Sequence, residues 1–194
     1  MSSVSSSWEK FLNPESLKSN LIVSSLFITS FEIFKGSIIQ HPKTFFSDGY
    51  DENGHILGDE YKNEVTLKSK SPIYASLKWF LEMKAIDEND MEIFELIKKH
   101  RNDVVHEMPD YIYNSSHELK LELFKSLLEL FRKIEVWWVI NFEMAISPDY
   151  DNQKIDETGI TPGSIMSIQL MIDIALGKEP NDGFYYSEFK KKST

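Results

Sequence analysis

One charged segment, KKHRNDVVHE at positions 98–107, contains the residues best suited to chemistry. Arg101 is one of only two arginines in the chain, and its planar guanidinium can hold an anion through paired hydrogen bonds. His106 can accept or release a proton near neutral pH. Asn102 precedes His106 by four residues, so in a helix its amide can reach the imidazole and orient it. These three residues are the strongest candidates for a functional site.

Arg101 is predicted to lie on an apolar helix face, where a guanidinium is unexpected. With Ile93 placed at zero on a helical wheel, Arg101 falls at about 80°, between Ile97 at about 40° and Phe94 at about 100°. An unpaired guanidinium is costly to bury, so Arg101 must meet a carboxylate, a subunit interface or a ligand anion. His106 lies at the carboxyl end of the same helix, where the helix dipole favours a protonated imidazole and helps it to act as an acid.

The signatures of other enzyme classes are missing from the sequence. It has no glycine-rich phosphate loop, no HExxH motif, and no cysteine that could bind zinc or act as a nucleophile. His41, His55 and His117 lack the spacing of metal ligands, so we predict neither a metal site nor a cofactor. The formal net charge of -10 argues against a protein that coats nucleic acid without specificity, but it leaves room for a small local site.

The elements that must position these residues are predicted to be helices. Apolar periodicity, capping residues and prolines in first turns predict helices over about 14–40, 72–85, 90–107, 115–147 and 162–176. Asn13 is predicted to cap the first helix and His41-Pro42 to stop it, Asp87 or Asn89 to cap the third, and a capping box over 115–118 to begin the fourth. Residues 41–70 are interpreted as an inserted polar loop, with a small hairpin around Asn53-Gly54. The predicted fold class is all-α, a bundle of four to five helices in one domain over 1–194, with flexible or peripheral tails at 1–12 and 184–194.

The sequence also indicates a compartment. The chain does not begin with a signal-peptide pattern and contains no cysteine. Its uncharged stretch 19–31 is shorter than the roughly 20 apolar residues that a membrane-spanning helix needs. We therefore expect a cytoplasmic protein without a membrane association.

The hexapeptide RNDVVH at 101–106 resembles the Arg-x4-6-His motif of HEPN domains, the "higher eukaryotes and prokaryotes nucleotide-binding" helical bundles. In that motif a small polar residue, often Asn, follows the arginine, as Asn102 does here. The resemblance implies a metal-independent endoribonuclease, commonly of a toxin–antitoxin or antiviral defence system. It further implies RNA as substrate, a homodimer whose paired motifs line one composite cleft, and a nucleotidyltransferase-type antitoxin as a candidate partner.

The same resemblance assigns catalytic roles to three residues. Arg101 would hold the phosphoryl oxygens, His106 would shuttle the proton, and Asn102 would orient the ring or touch the phosphate. The products would be a 2',3'-cyclic phosphate and a 5'-hydroxyl, formed without a metal. Lys98 and Lys99 would steer phosphate toward the cleft. In an unbroken helix Arg101 and His106 point about 140° apart, so a shared phosphate requires the helix to end or widen between them, or the symmetry mate to complete the site.

Plainer interpretations of these residues stay open. Arg101 can form a core ion pair with a Glu of a neighbouring helix, and Lys98-Lys99 can be a solvated face. His100 is predicted to be packed, and Trp137-Trp138 to serve packing or a dimer interface. Two alternatives to a ribonuclease follow. One is a noncatalytic helical module that binds a nucleotide or a protein, with Arg101 as an anion clamp, and the other is a structural dimerisation bundle with Arg101 tied internally.

Overall fold

A 32-residue helix, α2 (Pro14–Phe45), runs through the centre of the computed structural model, which describes residues 4–150 and 155–192. Within these residues the other α-helices are α1 (Val4–Leu12), α3 (Asp59–Glu64), α4 (Pro72–Glu82), α5 (Glu88–His106), α6 (Met108–Tyr113), α7 (Leu121–Trp138), α8 (Gly163–Ala175) and α9 (Phe184–Lys192). Helix α2 contacts α1, α4, α5, α6, α7 and α8. The predicted mainly α class is thus confirmed.

The core between these helices is rich in aromatic rings. The largest fully buried side chains include Phe27, Phe34, Phe80, Phe94 and Phe131, which come from α2, α4, α5 and α7. The rings of Phe34 and Phe131 meet edge to face with their centroids 5.4 Å apart. Each such burial stabilises the fold by about 1.5–3 kcal/mol, so these rings fix α5 and α7 against α2.

Capping residues begin the helices where the sequence predicts. The Asn13 side chain accepts the backbone N–H groups of Glu15 at 3.0 Å and Ser16 at 3.2 Å, with Pro14 in the first turn of α2. Asp87 and Asp90 form a reciprocal capping box at the start of α5. Helix α5 ends at His106, and α6 begins at Met108 with a proline in its first turn, close to the predicted boundary.

Helix α2 extends beyond its predicted end at about residue 40, so the prediction that His41-Pro42 stops the helix is wrong. Pro42 is buried inside the helix, which continues to Phe45. The residue before a proline disfavours helical backbone geometry, and here that residue is His41. Its ring is stacked on Trp138 with centroids 4.2 Å apart, and its Nε2 lies 2.6 Å from the Glu135 carboxylate. These tertiary contacts hold His41 in helical geometry.

Residues 41–70 are more ordered than an inserted loop. The predicted hairpin is present, with β1 (Ser47–Asp51) antiparallel to β2 (Gly54–Leu57), and Asp51 pairs with Gly54 across the turn. Gly54 has a φ of 111°, which glycine adopts readily. Helix α3 and a 3-10 turn (Thr66–Lys68) follow, and they place Val65 fully inside the core.

The segment predicted as one helix over 115–147 is shorter and has two parts. The Ser115–Glu118 capping box does not form; α7 begins at Leu121, and its last turns become a π-helix (Val139–Met144). Trp138 is 3% exposed, so its predicted packing role is confirmed. With nine α-helical segments in the described ranges, the chain exceeds the predicted four to five, because short helices occupy the expected loop, the connection between α5 and α7, and both expected tails.

Helix α1 lies in the segment expected to be a flexible or peripheral tail, and it is tied to the molecule through Lys10. The Lys10 ammonium donates to the backbone carbonyls of Tyr111 at 3.1 Å, Asn114 at 2.9 Å and His117 at 2.7 Å. These carbonyls close the carboxyl end of α6, where a cation is favoured. At the other terminus, α9 carries exposed Tyr186 and the basic residues Lys190–Lys192.

Helix α2 is also the one described helix long and apolar enough to span a membrane. Its most apolar window has a mean hydropathy of 1.5, and 39% of that window is buried inside the protein. Core helices of soluble proteins meet the same test, and the buried face of α2 supplies Phe27, Phe31 and Phe34 to the core.

Candidate functional site

Helix α5 presents the candidate residues, and its neighbours fix its position. Its amino end is held by the capping box of Asp87 and Asp90, to which Lys133 of α7 adds ion pairs at 3.2 and 2.5 Å. Its buried face contributes Phe94, Ile97 and Val104 to the core. The helix is continuous to His106, so the candidate residues occupy its last turns on a rigid support.

Arg101 meets a carboxylate, one of the three partners predicted for it. Its Nη2 donates to Oε1 of Glu32 in α2, and its guanidinium lies 5.4 Å from the centre of the Phe31 ring. The side chain is 24% exposed, so it is neither fully enclosed nor fully solvated. Within the described residues its buried Nε has no hydrogen-bond partner. The guanidinium has five N–H donors, and the contact with Glu32 therefore leaves some of them unused.

Glu32 is a site residue that sequence reasoning missed. It binds Lys35 at 3.1 Å as well as Arg101. Partial burial raises the pKa of the Glu32 carboxyl, but hydrogen bonds from Lys35 and Arg101 outweigh that effect and hold it below its ordinary value. A signal was present, because Glu32 is the only charged residue between Lys18 and Lys35 in an otherwise apolar helical pattern.

Asn102 faces Arg101 rather than His106. Its Oδ1 accepts a 3.3 Å hydrogen bond from Nη1 of Arg101, and no hydrogen bond joins it to His106 in the described part of the chain. The hydrogen bond that would let Asn102 orient the imidazole is therefore not formed in this structure, where the amide oxygen accepts from the guanidinium one residue away. The structure thus joins Arg101, Asn102 and Glu32 into one cluster.

His106 is the exposed last residue of α5, as predicted. Five residues along a regular helix separate it from Arg101, which corresponds to about 140° of rotation and a rise of about 7.5 Å. The helix does not break or widen between the two residues. One copy of the chain therefore presents the guanidinium and the imidazole in different directions.

The remaining basic residues of the segment have separate environments. His100 is packed as predicted: it is 3% exposed, and its ring lies 5.3 Å from that of Phe27. Lys98 donates to the Tyr74 hydroxyl at 2.8 Å, whereas Lys99 is exposed. Of the two lysines proposed to steer phosphate, only Lys99 is directed freely to solvent.

Among the clefts formed by the described residues, four lie away from the candidate site. Their volumes are about 400, 480, 560 and 200 Å³, and none is lined by Arg101, Asn102 or His106. Over 4–150 and 155–192, no three acidic or histidine side chains are grouped so that they could hold a metal ion. At the candidate site His106 is exposed and Arg101 is partly exposed.

Comparison with known proteins adds no relative, because no family model, curated protein or solved structure matches this chain.

Proposed function

We propose that the protein is a metal-independent endoribonuclease of HEPN type, which cleaves RNA to 2',3'-cyclic phosphate and 5'-hydroxyl ends in a cytoplasmic toxin–antitoxin or antiviral defence role. One observation carries the proposal. A partly exposed guanidinium that is anchored to Glu32 precedes, on one rigid helix, an exposed imidazole at the helix end.

These two groups suit the chemistry of RNA cleavage. When a 2'-hydroxyl attacks the adjacent phosphorus, negative charge builds on the phosphoryl oxygens, and a guanidinium stabilises it. Glu32 and the Phe31 ring position the guanidinium before substrate binds, which lowers the cost of orienting it. His106, at the end of α5, supplies an imidazole, the side chain that most often serves as a general acid or base.

The proposed active form is a homodimer with a composite cleft. Arg101 and His106 of one copy point about 140° apart, so one phosphate meets both groups only when a two-fold mate supplies one of them. We propose that each of the two sites combines Arg101 of one subunit with His106 of the other.

Cleavage in the presence of EDTA tests the activity directly. We expect the wild-type chain to release cyclic-phosphate ends from RNA, and His106→Ala to reduce the rate by about 10²–10⁴-fold with an unchanged thermal transition. His55→Gln, on the hairpin, is the matched control and should cleave at the wild-type rate. Equal cleavage by His106→Ala would refute the proposal.

Mixing two inactive variants tests the composite cleft. A refolded mixture of Arg101→Ala and His106→Ala should contain mixed dimers with one intact site, and it should recover about a quarter of the wild-type activity by statistical assembly. No recovery, in a mixture shown by mass spectrometry to contain mixed dimers, would exclude the shared site.

The noncatalytic alternative is favoured by one specific observation. Glu32 and Asn102 both bind the guanidinium, and neither group supports His106. In that case Arg101 is an anion clamp that exchanges Glu32 for a nucleotide phosphate. Calorimetric titration with nucleotides would then show binding that Arg101→Ala abolishes, without any turnover of RNA.

A further inference from the structure

His117, outside the Arg101–His106 segment, has an ordered imidazole beside the end of α5. It lies in the turn between α6 and α7, and its side chain is 33% exposed. Its Nδ1 is 3.2 Å from Oγ of Ser116, and its Nε2 is 3.7 Å from Oε2 of Glu107. The 3.7 Å separation is longer than a hydrogen bond, so Nε2 faces the Glu107 carboxylate without being hydrogen-bonded to it.

The hydrogen bonds around Ser116 determine which nitrogen of the neutral ring carries the proton. The Ser116 hydroxyl donates its only hydrogen to Oδ1 of Asn114, at 2.8 Å. Toward His117 it can then act only as an acceptor, so Nδ1 is the protonated nitrogen. The lone pair of the ring is therefore on Nε2. An imidazole whose Nδ1–H is fixed and whose Nε2 is open has the arrangement of a general base.

Chain connectivity places the carboxylate that faces this ring on the residue next to His106. Glu107 directly follows His106, so their Cα atoms are about 3.8 Å apart, and the Glu107 carboxylate is the group beside Nε2 of His117. The other groups near His117 are the Tyr111 ring at 5.6 Å and the Lys10 ammonium, which donates to the His117 carbonyl at 2.7 Å. Glu118 adjoins it in the chain. Glu107 thus adjoins both histidines, His106 through the chain and His117 through its side chain.

We propose that His117 is the second proton-transfer residue of the cleavage, an inference that rests on the proposed ribonuclease function. Nε2 of His117 takes the proton of the 2'-hydroxyl while the bond from O2' to phosphorus forms. Protonated His106 gives its proton to O5' while the bond from phosphorus to O5' breaks. One proton is taken up and one is released, and both histidines return to their starting states by exchange with water.

The test uses two RNA-like substrates and pH–rate profiles. His117→Gln should lower kcat for a dinucleotide by about 10²–10⁴-fold with KM little changed, and it should remove the low-pH limb of the profile. A nucleoside 3'-(4-nitrophenyl phosphate) has a leaving group that needs no acid. On this ester His106→Gln should recover most of its activity, whereas His117→Gln should stay slow. His55→Gln is again the control.

A positioning variant and a spectroscopic measurement separate this inference from a folding effect. Ser116→Ala removes the acceptor at Nδ1, so it should lower kcat less than His117→Gln does, without changing the thermal transition. Nitrogen-15 NMR of the resting protein should show the proton of His117 on Nδ1. A proton on Nε2, or wild-type kinetics in His117→Gln, would overturn the role of His117 while the ribonuclease stands. Absence of cleavage by the wild-type chain would refute the ribonuclease itself, and this role with it.

Discussion

At the residue scale, the environment of His100, which directly precedes Arg101, holds its imidazole in the neutral form. Its Nε2 accepts the backbone N–H of Lys120 at 3.0 Å, which caps the start of α7. Only a neutral ring can accept this hydrogen bond. Burial, with a smaller contribution from the Lys120 charge, lowers the pKa of His100 below its ordinary value of 6.5.

This environment predicts a pH-dependent stability. The unfolded chain binds a proton on His100 below about pH 6.5, whereas the folded chain resists it. The stability that neutral His100 contributes is therefore complete above pH 6.5 and is lost as the pH falls toward the lower folded-state pKa. Urea unfolding at pH 7.5 and pH 5.5 should show a larger loss for the wild type than for His100→Gln, whose amide oxygen can accept the same N–H without titrating. Equal losses would contradict the assignment.

The partner of Arg101 could be predicted from the sequence only as a class. The place of Arg101 on an apolar helix face restricts its partner to an anion or an interface. To identify that partner as Glu32, one must know how α5 packs on α2. The expected contact from Asn102 to His106 is not formed, and the amide oxygen accepts from the neighbouring guanidinium instead. Helical spacing predicts which side chains are within reach, and the tertiary environment selects among them.

At the element scale, Lys10 makes α1 part of the fold. Burial lowers the pKa of Lys10, while the nearby Glu118 carboxylate raises it to a smaller extent. The ammonium remains the donor to three carbonyls at the end of α6. We predict that Lys10→Met, which keeps the apolar stem, will destabilise the protein by about 1–3 kcal/mol, because it leaves partly buried carbonyls without donors.

The control for this prediction is Lys18→Met, at an exposed position of α2, which should change stability by less than about 0.5 kcal/mol. Chemical denaturation measures both variants. Hydrogen exchange should also show faster exchange over 114–117 in Lys10→Met alone. If Lys10→Met matched the control in both measurements, α1 would not hold α6.

Elements set by local interactions could be predicted from the sequence, whereas elements set by contacts between distant residues could not. The helix starts at Asn13 and at Asp87 or Asn89, and the hairpin around Asn53-Gly54, were predictable, because capping and turn geometry are local. The passage of α2 through Pro42 was not, because it depends on His41 contacts with residues about a hundred positions away in the chain. Helix α1 was missed because its fixing contacts lie on α6.

At the scale of the whole molecule, a buried carboxylate joins three helices. Glu135 of α7 accepts hydrogen bonds from Ser37 of α2 and Ser164 of α8, both at 2.5 Å, and lies 2.6 Å from Nε2 of His41. Burial raises the pKa of Glu135, but these hydrogen bonds outweigh it and lower the pKa below its ordinary value. Its stabilising contribution is therefore present above the unfolded value of 4.5 and is lost as the pH falls through the folded-state pKa.

We predict that Glu135→Gln will destabilise the protein by about 3–5 kcal/mol, since it leaves donors of α2 and α8 facing an amide. Glu129→Gln, on the exposed side of α7, is the matched control and should cost less than about 1 kcal/mol. Thermal unfolding at pH 7 compares them. A small effect of Glu135→Gln would mean that apolar packing alone holds α8.

The net charge of -10 sets the final prediction, which concerns how the proposed ribonuclease would bind RNA. An acidic protein repels a polyanion at long range, so binding must rely on a few local cations such as Arg101 and Lys99. Each phosphate contact on a single strand contributes about -0.7 to the slope of log Kobs against log salt concentration, so two or three contacts predict a slope of about -1 to -2. Fluorescence anisotropy of catalytically inactive His106→Ala with labelled RNA, from 50 to 300 mM salt, measures this slope. A value steeper than about -4 would show that a broad basic surface binds RNA instead. Arg101 and Lys99 would then not be the main contacts.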